Sequence, residues 1–458
     1  MARKKKDSGV LWHFVESFEG DKVVWMIVLM LIMFSILAIS SSTPLLALET
    51  GSSRPAIIRE QLLIAVLGTL LIVGIYNIRR IKLLRTVSQL GFLISFGLLA
   101  ILVFRINLGG IKALKVNEAW RAISIFGKFT LHVSEVVKVC MVMYLAWAVD
   151  TYKKDGFVLA NRLAGTKHFA FMGKDFSKKV LYIYGPILAV TVMLLDGSNS
   201  SALFIGGIMG LTILIGGIRI RELIPVALVL VLLLGIATTV SVTSEGKYFG
   251  RINTAYQRLQ RFSEKPEEQL LAQKRGTAAF QEVLDKVRQP ISAKVAVSEG
   301  GFFGKGPGGS TQRYIVPVMF GDYMYSFIIE EYGLLGGIIV LILYCSLLAR
   351  GSLIARNCES LFAKTAIAGL VILISGQAMM HMLVNVDLVP MTGQTLPMIS
   401  HGNSSFLAFS VAFGIILAIS RMARKKIEKV TDQARPISEV PEDDLKARLD
   451  ELDDLDIY

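Results

Sequence analysis

Apolar residues in this chain come in long, nearly uninterrupted blocks, not in the alternating or one-faced patterns of a soluble domain. A bilayer core takes about 20 apolar residues per helical crossing, and the runs 23–40 and 223–242 each meet that alone. Blocks at 22–42, 58–77, 87–106, 131–150, 179–195, 200–218, 222–242, 324–349, 362–384 and 403–421 predict ten spans. Hydrocarbon offers no partner for backbone polar groups, so each span is predicted to be a helix. The alternating short strands of an outer-membrane barrel are absent from the pattern. The fold class expected is therefore an all-α integral membrane protein of about ten transmembrane helices, with both termini cytoplasmic and one large extracytoplasmic loop.

Charge sets the orientation. Basic residues fill the N-terminal tail (Arg3, Lys4, Lys5, Lys6) and every second loop: Arg79, Arg80, Lys82 and Arg85; Lys153, Lys154, Arg162, Lys167, Lys174, Lys178 and Lys179; Arg219 and Arg221; Arg350, Arg356 and Lys364; Arg421, Arg424, Lys425 and Lys426. Basic loops face the cytoplasm, and their regular return requires an even number of spans. The formal net charge of +13 has the same source and does not point to nucleic acid. The first block is too long for a signal-peptide core and is read as a retained helix. Three regions follow: a basic tail, 1–21; a membrane domain, 22–424, with the outward loop 243–322; and an acidic tail, 425–458, read as solvated and cytoplasmic. Cys140, Cys345 and Cys358 have no metal or disulfide spacing.

The outward loop is far longer than an ordinary connection, which marks it as functional or disordered. Its first part, 247–289, is charged and reads as helical; its second part, 299–310, is glycine-rich. Gly300 to Lys305 is one residue short of a nucleotide-binding loop, and Gly306 stands where Ser or Thr is needed. Glu135 and Lys138 share a helix face at the outer end of the fourth span, as a structural ion pair or as part of a site. Asp322, at the start of the eighth helix, is a site candidate or an ordinary N-cap. Glu330 and Glu331 lie two turns further on. The patch from Pro390 to Gly402 predicts irregular backbone lining a cavity. His381 and His401 lack zinc spacing and are assigned surface or packing roles.

Several of these patches together resemble one family, the SEDS peptidoglycan polymerases. Ser298-Glu299-Gly300-Gly301-Phe302-Phe303-Gly304-Lys305-Gly306 is similar to that family's most specific motif, and Ser310-Thr311-Gln312 continues it. Pro317 and Asp322 match its proline and catalytic aspartate, and Glu330-Glu331-Tyr332-Gly333 its paired glutamates. Thr392-Gly393-Gln394-Thr395-Leu396-Pro397-Met398-Ile399-Ser400, Ser134-Glu135 with Lys138, and Asn117 with Ala119 and Arg121 resemble further family patches. The chain departs from the pattern at His132-Val133, Leu195 to Asn199 (keeping Asp196), Val318, Phe320-Gly321 and His401-Gly402-Asn403. The extended tail and the insertion at 247–289 favour the division-type, FtsW-like branch over the RodA-like one.

The resemblance implies a glycosyltransferase that polymerises lipid II, with Asp322 as general base. Arg121, Glu135, Lys138, Asp196, Lys305, Ser310, Gln312, Arg313, Glu330, Glu331, Thr392 and Ser400 are then candidate substrate-binding residues. Inversion at the donor's anomeric carbon needs one base and positive charge on the lipid diphosphate, for which Arg121, Lys138, Lys305 and Arg313 stand ready. A divalent cation (Mg or Mn) is a candidate cofactor, although no dedicated cage is visible. Implied partners are lipid II, undecaprenyl diphosphate, a class B penicillin-binding protein, other division-complex proteins and membrane lipid, at the bacterial inner membrane. Two other readings fit the same topology: a lipid-precursor flippase, and a non-catalytic scaffold that activates a transpeptidase.

Overall fold

The computed structural model describes residues 19–433 except 43, 45–46, 49–50, 52, 117–118, 128, 166–170, 196, 244–270, 272–273, 275 and 316–318. The helices are α1 (Lys22–Ser42), α2 (Arg54–Tyr76), α3 (Ile81–Ser88), α4 (Gly91–Val103), α5 (Val133–Lys153), α6 (Val158–Ala164), α7 (Asp175–Lys179) and α8 (Gly185–Leu195). They continue as α9 (Asn199–Ile215), α10 (Ile220–Thr243), α11 (Ala278–Gly300), α12 (Met319–Asp322), α13 (Met324–Asn357), α14 (Leu361–Asn385) and α15 (Asn403–Gln433). A single π turn, Val180–Tyr184, joins α7 to α8.

Among the described residues, seven stretches are long and apolar enough to cross a membrane: α1, α2, α3 with α4, α7 through α8, α13, α14, and α15 as far as Ala423. The helices α5, α9 and α10 stand on the other three expected spans. Leu63, Leu70, Leu93, Leu228 and Leu232 are each more than half exposed, which suits a surface bathed in lipid. Two apolar cores lie inside. One joins α1, α2, α13, α14 and α15, and the other joins α4, α5, α8 and α9. Helix α5 contributes to both, with Val139 and Val142 facing the first and Val137 and Met141 the second.

Between α4 and α5 the chain forms a four-stranded antiparallel meander, which corrects the all-α expectation locally. Its strands are β1 (Asn107–Leu108), β2 (Ile111–Val116), β3 (Ala119–Ile125) and β4 (Phe129–His132). Ala122 pairs with Leu114 on one side and His132 on the other. The strands run only two to seven residues, too short beside the neighbouring apolar blocks to register as a periodic signal. The fourth span accordingly starts at Val133, not 131. Helix α15 continues to Gln433, into the region expected as the acidic tail; most of the charged insertion and all of the chain beyond 433 lie outside the described residues.

The glycine-rich motif follows α11 and serves as backbone for backbone. Helix α13 breaks at Gly333 (φ 73°, ψ −179°), a conformation open essentially to glycine alone. The break frees carbonyls and amides of the helix, and the motif supplies their partners. Lys305 N donates to Glu330 O and Gly306 N to Glu331 O, both at 2.9 Å; Leu334 N donates to Gly301 O at 2.9 Å. A Cβ on Gly333 would stand 2.2 Å from Phe302 O. The two glutamates below the break are fully buried. Glu330 accepts from Lys305 Nζ at 2.8 Å, Thr311 N at 2.9 Å and Ser310 Oγ, while Glu331 accepts from Gly308 N at 3.0 Å and Ser41 Oγ at 2.5 Å.

The connection from α14 to α15 dips into the bundle. Ser375 Oγ donates to Tyr344 O, and the Tyr344 hydroxyl donates to Pro397 O. Gln377, eight residues before the end of α14, donates from Nε2 to Thr395 O at 2.9 Å, so the segment reaches inward past the last two turns of that helix. Leu396, Met398 and Ile399 are fully buried. Irregular backbone at this depth is tolerated because protein surrounds it.

Candidate functional site

The inward-dipping segment lies alongside the turn that carries Asp322. Ser400 Oγ donates to Gly321 O at 2.8 Å, and His401 N donates to Phe320 O at 2.9 Å. From the other side, Asn385 Nδ2 donates to Asp322 O at 3.1 Å. Gly393 takes a left-handed conformation (φ 65°), and a Cβ there would stand 3.9 Å from Asp322 Oδ2. Asp322 closes α12, and Tyr323 holds the cap position of α13, so the N-cap reading of Asp322 is corrected.

Asp322 lines a cavity of about 330 Å³, the size range of small-molecule sites. Arg121 on β3, His132 on β4, Ser134 and Glu135 on α5, and His401, Ser404 and Ser405 contribute polar walls; Leu99, Leu102, Val103, Met193 and Leu194 contribute apolar ones. The ends of α4 and α8 meet the starts of α5, α9 and α15 here, which are the ends that the charge pattern assigns to one side of the membrane. Among the described lining residues, Arg121 carries the permanent positive charge.

Behind the cavity wall lies a buried network centred on Lys138. Its Nζ donates to Glu135 Oε1 and Gln377 Oε1 at 2.7 Å and to Gln394 Oε1 at 2.8 Å. Ser405 Oγ donates to the second Glu135 oxygen at 3.0 Å, and Gln394 Nε2 to Ser201 Oγ at 2.8 Å. His381 Nδ1 donates to Gln394 O at 2.7 Å, while its Nε2 accepts from Tyr325 N at 3.4 Å. A buried charge needs this degree of satisfaction, and the network joins α5, α9, α14, α15 and the dipping segment.

The sequence-predicted residues therefore divide. Arg121, Glu135 and Asp322 share the cavity, and Lys138 stands behind Glu135. Ser400 positions the Asp322 turn, and Thr392 lies in the same dipping segment. Lys305, Ser310, Gln312, Arg313, Glu330 and Glu331 gather instead around the α13 break, none of them lining the cavity. Burial opposes the Lys305 charge, but hydrogen bonds to Glu299 and Glu330 outweigh it and raise its pKa. Asp196, Asn117 and Pro317 lie outside the described residues. His401 packs its ring against Phe320 and also lines the cavity, while His381 is a buried packing residue. Sequence reasoning passed over Gln377, Asn385, Ser201 and Ser405, whose signal was a polar side chain inside or beside an apolar run. Among the described residues no three His, Cys, Asp or Glu side chains are placed to hold a metal ion. Among the described residues, Glu135 is already engaged by Lys138 and Ser405 and offers no free oxygen to a cation.

A family model described as cell cycle protein, FtsW/RodA/SpoVE, matches residues 21–425. The chain belongs to that family. It is similar to stage V sporulation protein E of Bacillus subtilis, 27% identical over 374 residues that cover 80% of this chain and 87% of that one. A probable peptidoglycan glycosyltransferase FtsW of Geobacter metallireducens is 26% identical over 403 residues, 87% of this chain and 94% of that one. Among solved structures, a chain of a peptidoglycan synthase complex that coordinates polymerization and crosslinking superposes with a TM-score of 0.58 at 22% identity, covering 88% of this chain and 98% of its own. The rod shape determining protein RodA of Thermus thermophilus gives 0.52 at 19% identity, covering 89% and 98%. The fold shared with these structures thus extends over most of the chain.

Proposed function

We propose that this protein is a peptidoglycan glycosyltransferase that polymerises lipid II at the outer face of the bacterial cytoplasmic membrane, in septal synthesis. The observation that carries the reading is the Asp322 carboxylate on a cavity shared with Arg121, in a chain whose relatives include probable peptidoglycan glycosyltransferases FtsW. The cavity gathers the outer ends of its helices, while the basic loops fall at the opposite end, where Arg350 pairs with Asp21 and Arg85 with Asp150; this supports an outward-facing site and cytoplasmic termini.

Asp322 takes the proton of the acceptor's 4-hydroxyl as that oxygen bonds to the donor's anomeric carbon. The carbon–oxygen bond to the lipid diphosphate breaks, and its electron pair leaves with the diphosphate. Arg121 stabilises the charge that develops there. A diphosphate leaves without a general acid, so one carboxylate suffices, unlike the pair a glycosidase needs. Lys138, bound to Glu135, braces the cavity wall instead, and Lys305, bound to Glu330, braces the α13 break. A class B penicillin-binding protein is the proposed partner, supported by the similarity to a synthase complex that joins polymerization to crosslinking.

The test is glycan-chain formation from labelled lipid II, with and without the cognate transpeptidase, for wild type and Asp322→Ala. Polymer from wild type alone supports the reading. Equal polymer from both moves the base elsewhere, and none from either overturns the reading.

A further inference from the structure

One hydrogen-bond chain fixes where the proton sits on His401. The Ser35 hydroxyl donates to Ile399 O at 3.1 Å, so its oxygen is the acceptor for Gln61 Nε2 at 3.0 Å. That leaves the Gln61 amide oxygen facing His401 Nδ1 at 3.4 Å. An amide oxygen only accepts, so Nδ1 carries the hydrogen and Nε2 of the neutral ring keeps its lone pair. No hydrogen bond engages Nε2 among the described residues. The ring stands edge-on to Phe320, centroids 5.7 Å apart, and its backbone is bonded to Phe320, two residues before Asp322. His401 lines the same cavity as Asp322.

We propose that His401 is the second proton carrier of the polymerase site, receiving on Nε2 the proton that Asp322 takes from the acceptor hydroxyl. This rests on the glycosyltransferase reading above. The transfer returns Asp322 to its carboxylate and makes His401 an imidazolium, which releases the proton to water before the next sugar arrives. Gln61 is the positioning residue, holding the tautomer that leaves Nε2 open. Glu60 on α2 is the charged group that acts on His401, while Arg121 on β3, His132 on β4, Glu135 on α5 and Asp322 line the same cavity. Burial lowers the His401 pKa and Glu60 opposes that, so the resting ring is neutral and its imidazolium transient.

The test is the pH dependence of glycan formation by full-length protein with its transpeptidase. His401→Gln is expected to lower kcat by about ten- to a hundredfold, within the usual range for a lost acid–base group, with KM little changed and the acidic limb of the profile lost. Gln61→Glu is expected to move that limb to higher pH, because a carboxylate at Nδ1 stabilises the imidazolium. Independently of activity, ¹⁵N spectra of histidine-labelled protein, assigned with His401→Gln, are expected to show His401 protonated on Nδ1 alone at neutral pH. An Nε2–H tautomer, or a His401→Gln enzyme with wild-type kcat and acidic limb, overturns the relay while leaving the polymerase reading intact. Wild type that makes no polymer overturns both.

Discussion

The Ser400 hydroxyl bridges two chain segments that are 79 residues apart, donating to Gly321 O at 2.8 Å while accepting from Leu396 N at 2.9 Å. One small side chain thereby fastens the inward-dipping segment to the residue before Asp322. Ser400→Ala leaves a carbonyl and an amide without this partner in a buried place. Each such orphan costs about 1–3 kcal/mol, so the thermal midpoint is expected to fall. The polymerisation assay is expected to show a larger loss in kcat than in KM, because the turn carrying the base is loosened. Unchanged kcat in a folded variant would show that this tie does not position Asp322.

The Lys138–Glu135 pair predicts a non-additive pair of mutants. Lys138 is fully buried, with three oxygens within 2.8 Å of its ammonium. Lys138→Met alone strands the Glu135 charge and is expected to cost about 3–5 kcal/mol. Adding Glu135→Gln removes the stranded charge and is expected to restore a large part of the loss. Thermal unfolding of the two single variants and the double variant in detergent supplies the cycle; strict additivity would mean that the pair is not energetically coupled.

Gly333 offers a test of the clamp at the α13 break. Its conformation alone costs a non-glycine residue about 1–3 kcal/mol, and a Cβ would press within 2.2 Å of Phe302 O and 2.5 Å of Gly304 N. Gly333→Ala is expected to destabilise the protein and to release the 301–315 segment to proteolysis. A variant as resistant as wild type would mean that the glycine-rich motif does not depend on this contact.

The helical, membrane-spanning fold was legible because span length is set by a single physical constraint, the thickness of the bilayer. The sheet was not, because strands such as β1 and β4 gain their stability from pairing with neighbours, not from any run of their own. Asp322 and Arg121 were singled out through motif resemblance, and the cavity brings them together. Lys305, Glu330 and Glu331 belong to equally specific motifs, yet the fold uses them to replace helix hydrogen bonds lost at Gly333. Sequence cannot separate those two uses, since both demand particular residues at fixed spacing. No sequence pattern links His401 to Gln61, 340 positions away, although the fold sets them side by side.

His132, the last residue of β4, gives stability a pH dependence of definite sign. Its backbone amide donates to Ser404 Oγ at 3.1 Å, and its ring lines the cavity. Burial is the main influence and lowers its pKa from the ordinary value of 6.5; Glu135 raises it, and Arg121 and Lys138 lower it further. The unfolded chain therefore binds a proton at a higher pH than the folded protein does. Stability is full above the ordinary imidazole value and is lost as pH falls from there through the lowered folded value. Thermal midpoints between pH 7.5 and pH 5 are expected to decline in wild type and to decline less in His132→Gln, which has no proton to take up. An identical slope in the two proteins would assign the acid sensitivity to other groups.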